Sequence, residues 1–414
     1  MISALDCDVR PGSGLGIFEL GSSLWTVLDL LRRLQHSFPQ VDVKYDTDAA
    51  STTPIVLYIR PHLELLFSGK NQRLHTIILR KLRLGAGEPP VTLRYKDVVL
   101  SSPDNVLKRV FVSRTFGPTY PSGDDLRSDL RYPGLWFSFV EDGMGDSLKS
   151  SDDPRMQEVK RVIVSQKERE GEDRDALGEP VECAAMEGDI FRAVAKVHEG
   201  VTLYFYPSKS SPLRIRLGET TVQDLTIDLG PPNRVHYKDD DRMTIHATAR
   251  SGEHSESSYF YNYFQHGIDF MLSPSHVVSK IILHSNVPGS PLFQRYKRCN
   301  WEIEGKPEDD EDDTPPRKRF HDRVYFHLLL QSLAHGFQFE TISHFLSPRE
   351  PPPSMLLDRT DDEEALTLPN ATSRRKSQFL KRISMLKQQR TVHGYDGIIL
   401  EVSESSQVLA VMLF

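Results

Sequence analysis

The glycine-rich segment Gly12-Ser-Gly-Leu-Gly16 is the first candidate for chemistry. Glycines spaced as G-x-G-x-x-G bind a dinucleotide because their backbone N–H groups approach the phosphates closely. That pattern, started at Gly12, requires glycine where the sequence has Ile17, and no clear strand pattern precedes it. The P-loop pattern G-x-x-x-x-G-K-[ST] is also missing from the sequence. We therefore expect a glycine-rich entry to the first helix, without a nucleotide site.

Four histidines that could ligate a metal lie close together in one stretch of the sequence. They are His321, His327, His335 and His344. A metalloprotease helix needs two histidines at i and i+4 with a glutamate, and this stretch lacks that spacing. Aromatic neighbours favour packing instead. The sequence also lacks a G-x-S-x-G elbow, a calcium loop and a cysteine in a nucleophile context. We predict a protein that is not an enzyme, with no catalytic residues, cofactor or metal.

One loop is suited to binding a partner. The segment Phe116-Gly-Pro-Thr-Tyr-Pro121 combines aromatic rings with residues that stiffen the backbone, and rigid aromatic anchors lose little entropy on binding. The alternative is a helix end whose rings pack inward, and the sequence leaves both open. The candidate partner-binding residues are Phe116, Gly117, Pro118, Tyr120 and Tyr132.

A basic cluster beside apolar residues is the candidate for a membrane-surface helix. Its members are Arg374, Arg375, Lys376, Lys381 and Arg382. A helix packed on neighbouring strands is the favoured alternative. A second basic run, Arg317-Lys-Arg319, follows six acidic residues and indicates a solvated loop rather than a nuclear import signal.

Composition limits the class of protein. The formal net charge is −7, which gives no overall basic field for nucleic acid. Three widely separated cysteines indicate a reducing compartment, without a disulfide framework or a zinc site. The first residues lack the pattern of a secretory signal, and no window has the 18 or so uncharged apolar residues of a membrane span. We expect a cytoplasmic protein.

A strand pair recurs four times along the chain. In each copy a turn precedes an apolar strand, and a second strand then carries apolar residues at positions 1, 4 and 6. The first copy opens with His62, 12 residues before its second strand. The other three copies open with a glycine: Gly134 at 25 residues, Gly267 at 11 and Gly397 at 11 before the second strand. The second strands are Leu74-x-x-Ile77-x-Leu79, Val159-x-x-Val162-x-Val164, Val278-x-x-Ile281-x-Leu283 and Val408-x-x-Val411-x-Leu413.

Helical patterns precede these pairs. Gly21–Leu34 places four apolar residues on one face, with Ser22 or Ser23 as N-cap. A second helix is predicted from Ser102 to Phe116 and a third from Glu219 to Leu229, each ended by Gly-Pro. For the fourth copy Arg323–Phe345 and Ser373–Lys387 both remain candidates.

The predicted class is α+β, with four tandem units of a helix followed by an antiparallel β-meander and with long disordered loops. Units one and two occupy 1–166, and a linker or loop follows at 167–200. Unit three occupies 201–305, followed by an acidic and basic disordered loop at 306–319. Unit four occupies 320–414, with a disordered insertion near 348–377.

An ordered set of motifs resembles the phagosome assembly factor family, over nearly the whole chain. The motifs are Pro11-Gly-x-Gly-Leu-Gly16, Leu20-Gly-x-x-Leu-Trp25, Leu65-Leu-Phe-x-x-x-x-Gln-Arg-Leu74, Phe116-Gly-Pro-Thr-Tyr-Pro121, Tyr132-Pro-Gly134 and Gly394-Tyr-Asp-Gly397. The resemblance implies a regulator of autophagy without established catalytic residues. It implies a complex with a β-propeller (WD-repeat-like) protein of the breast-carcinoma-amplified-sequence type, recruited to the preautophagosomal structure. Phosphoinositide contact would then be indirect, and an association with Golgi trafficking also attaches to the family.

Overall fold

The computed structural model describes residues 5–47, 50–80, 82, 91–119, 129–139, 154–167, 178–237, 258–290, 292–304, 339–346, 353–357 and 390–414. The chain divides into two compact units. The first unit comprises Met1–Asp46 and Thr53–Met186, and the second comprises Thr47–Thr52 and Glu187–Phe414. Each unit has its own sheets, so each is described by itself.

The first unit alternates short strands with two helices. Its strands are β1 (Leu5–Arg10), β2 (Gly14–Leu15), β3 (Phe18–Glu19), β4 (Val41–Lys44), β5 (Ile55–Ile59), β6 (Leu63–Phe67), β7 (Leu74–Arg80), β8 (Val91–Tyr95), β9 (Val98–Ser101), β10 (Leu130–Tyr132), β11 (Leu135–Ser138) and β12 (Arg161–Ser165). Its helices are α1 (Leu24–Arg33) and α2 (Arg109–Phe116).

The second unit follows the same alternation. Its strands are β13 (Ile190–Lys196), β14 (Gly200–Phe205), β15 (Leu213–Arg216), β16 (Arg234–Tyr237), β17 (Tyr259–Tyr263), β18 (Ile268–Leu272), β19 (Val278–His284), β20 (Trp301–Glu304), β21 (Ser354–Leu356), β22 (Arg390–Tyr395), β23 (Ile398–Ser403) and β24 (Val408–Leu413). Its helices are α3 (Val222–Leu229) and α4 (Phe339–Leu346).

Each unit contains a large antiparallel sheet and a smaller mixed one. The large sheets have the orders β10-β11-β12-β7-β6-β5-β4 and β16-β17-β18-β19-β24-β23-β22-β21. The smaller sheets have the orders β3-β2-β1-β8-β9 and β15-β14-β13-β20. In each small sheet one strand pair is parallel, β1 with β8 and β13 with β20. In each large sheet β7 or β19 joins two meanders by pairing antiparallel with β12 or β24.

The 1-4-6 strands carry apolar side chains into the cores. All 12 residues at these positions are at most 3% exposed. In the strands themselves this follows from the period of two, which turns alternate side chains to one face. In β7, β19 and β24 a β-bulge follows the residue at position 1, so this residue faces the same side as those at positions 4 and 6. In the remaining copy the residue at position 1 lies two residues before β12. The predicted strand pairs are confirmed as antiparallel neighbours, β6 with β7, β11 with β12, β18 with β19 and β23 with β24.

Every described α-helix starts with an equivalent hydrogen bond to a hairpin. The N–H of its first residue donates to the carbonyl of the residue that lies two positions before the first residue of a 1-4-6 pattern. Because the first N–H groups of a helix lack intrahelical acceptors, this bond satisfies one of them and holds the helix against the hairpin. The pairs are Leu24 with Gln72 at 2.8 Å, and Arg109 with Gln157, Val222 with His276 and Phe339 with Ser406 at 2.9 Å.

Local chemistry agrees with most predicted helix ends. Ser23 caps α1 by accepting a hydrogen bond from Thr26 N, and Thr221 and Asp224 form a capping box at α3. Gly117 and Gly230 end α2 and α3 with φ of 93° and 79°, which glycine adopts without steric cost. The predicted stops at these two glycines are confirmed.

The predicted start of the second helix is wrong. Helix α2 begins at Arg109, not near Ser102, because Ser102 lies in a turn where its hydroxyl accepts from Asn105 N at 3.2 Å. A serine side chain can make the same local bond in a turn or at a helix cap, so the pattern was ambiguous.

Three further expectations need correction. Residues 354–356, placed in a disordered insertion, form β21, in which Met355 lies opposite Val392 of β22. Sheet predominates more than the helix-plus-meander description allows, since β1–β3, β8, β9, β13–β15 and β20 lie outside it. The expectation that no clear strand precedes the glycine-rich segment is wrong, because β1 lies directly before it. The coarse expectation of a mixed α and β chain holds.

For the fourth copy, α4 lies largely within the first candidate, Arg323–Phe345. The remainder of that candidate, the alternative Ser373–Lys387 and the loop at 306–319 lie outside the described residues.

Candidate functional site

The loop after α2 was the candidate partner-binding site. The Phe116 ring lies against three aromatic rings of the first unit, with centroid distances of 4.5 Å to Tyr95, 5.3 Å to Tyr132 and 5.4 Å to Phe137. Tyr132 donates its hydroxyl proton to the Gly117 carbonyl at 2.9 Å. Burial raises the pKa of Tyr132, which keeps the phenol in the neutral form that donates this bond.

This geometry brings Phe116, Gly117 and Tyr132 together and turns the half-buried ring of Phe116 toward the sheet. Pro118 is exposed, whereas Tyr120 lies outside the described residues. The loop therefore combines an inward aromatic anchor with an outward proline. The inward packing predicted as the alternative is present for Phe116.

The basic candidates Arg374, Arg375, Lys376, Lys381 and Arg382 all lie outside the described residues. The same holds for three of the clustered histidines, and His344 is a residue of α4. Among the described residues no group of three His, Cys, Asp or Glu side chains is arranged to hold a metal ion.

A buried polar network in the second unit was not foreseen. Asp269 of β18 is 4% exposed, and its Oδ2 accepts from the Tyr296 hydroxyl at 2.7 Å and lies 2.9 Å from His284 Nε2. The rings of His284 and Tyr296 stack at 3.7 Å with an interplanar angle of 18°. Asp269 Oδ1 is buried without a hydrogen-bond partner among the described residues. One carboxylate thus organises two aromatic side chains.

A small cleft lies beside this network. It contains about 300 Å³ of empty space, open solvent included. Its polar lining includes a second buried pair, in which Arg390 Nη1 donates to Glu401 Oε1 at 2.6 Å. These two side chains are 10% and 12% exposed. Because the charges in the wall pair with one another, the cleft presents little net charge to a ligand. The lining residues are His284, Asn286, Ser290, Leu292, Tyr296, Arg390, Glu401, Leu409 and Ala410.

The cysteines are poor nucleophiles. Burial raises the pKa of Cys7 and of Cys299 to about 12 and also raises the pKa of Cys183. A thiol must ionise to attack a substrate, so all three thiols stay protonated and unreactive near neutral pH.

Sequence reasoning missed the polar network although one signal was present. Asp269 stands between Ile268 and Phe270 in an otherwise apolar strand, and a buried carboxylate requires hydrogen-bond partners. Its partners could not be named, because Tyr296 is distant along the chain and only the fold brings it to Asp269.

Several of the resembling motifs meet at joints of the first unit. Gly12 N donates to the Gly134 carbonyl at 3.1 Å, and a Cβ on Gly134 would collide with the Gly12 backbone. Gly21 N donates to the Leu74 carbonyl at 2.8 Å. These glycines permit close backbone contacts, so their motifs hold the first unit together.

Comparison with known proteins agrees with this ordered set of motifs. The model of the family described as phagosome assembly factor 1 matches residues 14–414. The chain belongs to the phagosome assembly factor 1 family.

Relatives in this family come from distant organisms. The chain is 26% identical over 320 residues to a PHAF1 protein of Arabidopsis thaliana, covering 72% of this chain and 74% of that protein. It is 27% identical over 333 residues to one of Caenorhabditis elegans, covering 72% and 76%. It is 25% identical over 332 residues to one of Drosophila melanogaster, covering 72% and 74%. No solved structure matches the chain.

Membership of the phagosome assembly factor 1 family confirms the resemblance inferred from the motifs. Within the described part of the chain, no helix is long and apolar enough to cross a membrane. The family is named for phagosome assembly. In the candidate sites described above, aromatic rings pack on one another and charged side chains pair with each other.

Proposed function

We propose that this protein is a non-enzymatic adaptor that regulates autophagy by promoting phagosome and autophagosome assembly. The match of the phagosome assembly factor 1 family to residues 14–414 carries the proposal. Two observations support binding over catalysis: the thiols are held protonated by burial, and the charges that line the cleft are paired with one another.

The partner in this proposal is a β-propeller, WD-repeat-like protein. Affinity purification of the tagged full-length chain from cell lysate, followed by mass spectrometry, tests it. We expect a β-propeller protein among the enriched partners, and its loss from the eluate when untagged chain competes. Failure to enrich any β-propeller protein would count against the adaptor proposal.

The loop after α2 is the candidate contact for this partner, since Pro118 is exposed while Phe116 is anchored. The variant Pro118→Asp changes the exposed surface and leaves the ring cluster intact. Pro103, also exposed and in the same unit, offers the matched control Pro103→Asp. Reduced recovery of the propeller protein with Pro118→Asp alone supports the contact, and equal recovery with both variants refutes it.

The proposed location is the cytoplasm, with recruitment to the preautophagosomal structure, and with Golgi association as the alternative. Fluorescence microscopy of the tagged chain in fed and starved cells distinguishes the two. We expect starvation-induced puncta that coincide with an autophagosome marker. Puncta that coincide only with a Golgi marker in both conditions would support the trafficking role.

Direct phosphoinositide binding is the second candidate function, and the basic cluster at 374–382 is the sequence feature that favours it. Flotation of purified chain with phosphatidylcholine vesicles, with and without phosphoinositide, separates it from the adaptor function. We expect the chain to remain at the bottom in both cases. Flotation that requires phosphoinositide and no partner would replace the adaptor proposal with a peripheral membrane module.

We also propose that the chain contains four tandem copies of one helix-plus-meander unit. Units one and two lie in 1–166, unit three in 201–305 and unit four in 320–414. The shared helix-start hydrogen bond and the four buried 1-4-6 patterns support it. An experimental structure tests it by superposing each helix with its last two strands. A fourth helix packed away from β23 and β24 would contradict the proposal.

A further inference from the structure

Strand β16 is an edge of the large sheet in the second unit. It pairs with β17 on one side, and among the described residues no strand pairs with its other side. Its Val235 and Tyr237 are 40% and 64% exposed. An edge strand has unpaired N–H and C=O groups, and exposed apolar residues beside them make it a template for another strand.

The equivalent edge of the first unit is treated differently. Val43-Lys-Tyr45 at β4 matches Val235-His-Tyr237 at β16 in sequence order and in position relative to the next strand. Val43 and Tyr45 are only partly exposed. Asp42 on this edge is paired with Arg60 at 2.8 Å, and Lys44 lies over the Tyr58 ring at 4.9 Å. A lysine on an edge strand, as at Lys44, discourages edge pairing.

The two faces of β16 differ in chemistry. Successive side chains of a strand point to opposite faces, so Val235 and Tyr237 share one face and Arg234 and His236 the other. Both residues pair with β17 through the backbone, but within the described part of the chain the side chains of Arg234 and His236 make no hydrogen bond or ion pair. An arginine stays charged at any physiological pH, and an imidazole can donate a hydrogen bond, so this face suits a carboxylate.

We propose that β16 accepts an extended strand of a partner protein in which acidic and apolar residues alternate. The apolar residues pack on Val235 and Tyr237, and the acidic residues pair with Arg234 and His236. Backbone hydrogen bonds to β16 supply affinity, and the alternating side chains supply specificity. This strand site deepens the adaptor function proposed above and rests on it.

Other open edges fit such a strand less well. Strand β9 exposes Val98 and Val99, at 42% and 41%, but its other two residues, Leu100 and Ser101, are buried. Strand β21 is three residues long, follows Pro353 and carries no charged side chain. Only β16 among these three combines an exposed apolar face with a basic one.

Fluorescence anisotropy with a short labelled peptide of alternating glutamate and valine tests the site on the purified full chain. We expect binding that Val235→Lys weakens about fivefold or more, because the new charge faces the apolar residues of the strand. The matched control is Val98→Lys, which changes an equally exposed valine in another edge strand and should leave binding unchanged. Equal binding by Val235→Lys and the wild type overturns the proposal.

A charge exchange keeps the test independent of any folding defect in one variant. The double variant Arg234→Glu, His236→Glu should no longer bind the glutamate–valine peptide and should instead bind a peptide of alternating lysine and valine. A peptide with methylated backbone nitrogens that binds as well as its parent overturns strand pairing in favour of plain charge attraction. Self-association of the chain that Val235→Lys abolishes also overturns the proposal, because a second copy would then be the occupant.

The peptide assay and the affinity purification can fail separately. Loss of peptide binding with a propeller protein still recovered removes this site and leaves the adaptor function. Peptide binding without a propeller protein supports the strand site and removes the proposed identity of the partner.

Discussion

The two units share a backbone plan and differ in where they place charge. In the first unit Glu64 and Arg80 pair at 2.8 Å across β6 and β7, with side chains 12% and 36% exposed. At the equivalent positions of the second unit Asp269 and His284 pair at 2.9 Å, with exposures of 6% and 8%. The same diagonal across a hairpin thus holds a partly solvated ion pair in one unit and a buried network in the other.

The edges show the same contrast. In the first unit Val43 and Tyr45, at the β4 edge, are partly exposed. In the second unit Val235 and Tyr237 of β16 are 40% and 64% exposed, although the Tyr237 ring lies 5.6 Å from that of Tyr259 in β17. The apolar 1-4-6 residues and the helix joints are shared, so they specify the fold. Charged and edge positions differ between the two units, so the fold does not depend on them.

The largest expected effect concerns a glycine joint. Gly267 has φ of 71°, and a Cβ there would collide with the Lys297 carbonyl. Gly267→Ala combines left-handed strain with overpacking against backbone, so we expect the second unit to lose about 3 kcal/mol or more. Urea unfolding reports this through Trp301 fluorescence when Trp25 and Trp136 of the first unit are replaced by phenylalanine.

Gly230→Ala is the matched control for that variant. Gly230 has φ of 79°, but nothing lies within 4 Å of a Cβ built there. It should cost about 1 kcal/mol from strain alone. Equal losses for the two glycines would show that the close contact at Gly267 has no energetic role.

The polar pairs give the next largest difference. Asp269→Ala leaves the buried His284 and Tyr296 groups without their acceptor and should cost about 3 kcal/mol. Glu64→Ala removes a partly solvated pair and should cost about 1 kcal/mol or less. Chemical denaturation of both variants measures the difference. A smaller loss for Asp269→Ala than for Glu64→Ala would reverse the comparison.

Acid should weaken the second unit through His266. Burial, aided by Lys297, lowers the pKa of His266 from 6.5 to about 4, whereas Pro61 occupies the equivalent place in the first unit. The folded state therefore binds fewer protons than the unfolded state between these values. The stability from neutral His266 is present above pH 6.5 and is lost as the pH falls toward 4.

The magnitude is limited by the partial exposure of His266. We expect about 1 kcal/mol less stability at pH 5 than at pH 7, measured by Trp301-detected urea unfolding. His266→Gln removes the titrating group and should lack this component of the pH dependence. An unchanged pH dependence in the variant would assign the loss to another group.

The smallest effect is expected at the strand edges. Val43→Lys places a charge at a partly covered position and should cost about 1 kcal/mol. Val235→Lys changes an exposed position, and its cost should be within about 0.5 kcal/mol. Thermal unfolding of the two variants compares them directly. A larger cost for Val235→Lys would mean that β16 is covered in the folded chain.

Part of this structure follows from local sequence. Ser23 and Gly117 mark helix ends through bonds or dihedral angles within a few residues. Gly117 was predicted as a helix end, and Ser23 was one of two predicted N-caps. The helix predicted from Ser102 failed because a serine can make the same local bond in a turn. Strand β21 was missed because its pairing with β22 is non-local, while a neighbouring proline run favours disorder. The Asp269 network was missed because Tyr296 is 27 residues away along the chain.

The sequence alone determined the periodic features: the buried 1-4-6 strands, the glycines that open three hairpins, most helix ends and the family. The strands, glycines and helix ends depend on dihedral preferences and on the burial of apolar residues, which act over a few positions, and the family follows from the order of short motifs. Only the tertiary structure decided which strands lie at an edge, which charges are buried and which rings surround Phe116. Those features depend on distant segments that meet in space, because exposure is a property of the assembled sheets.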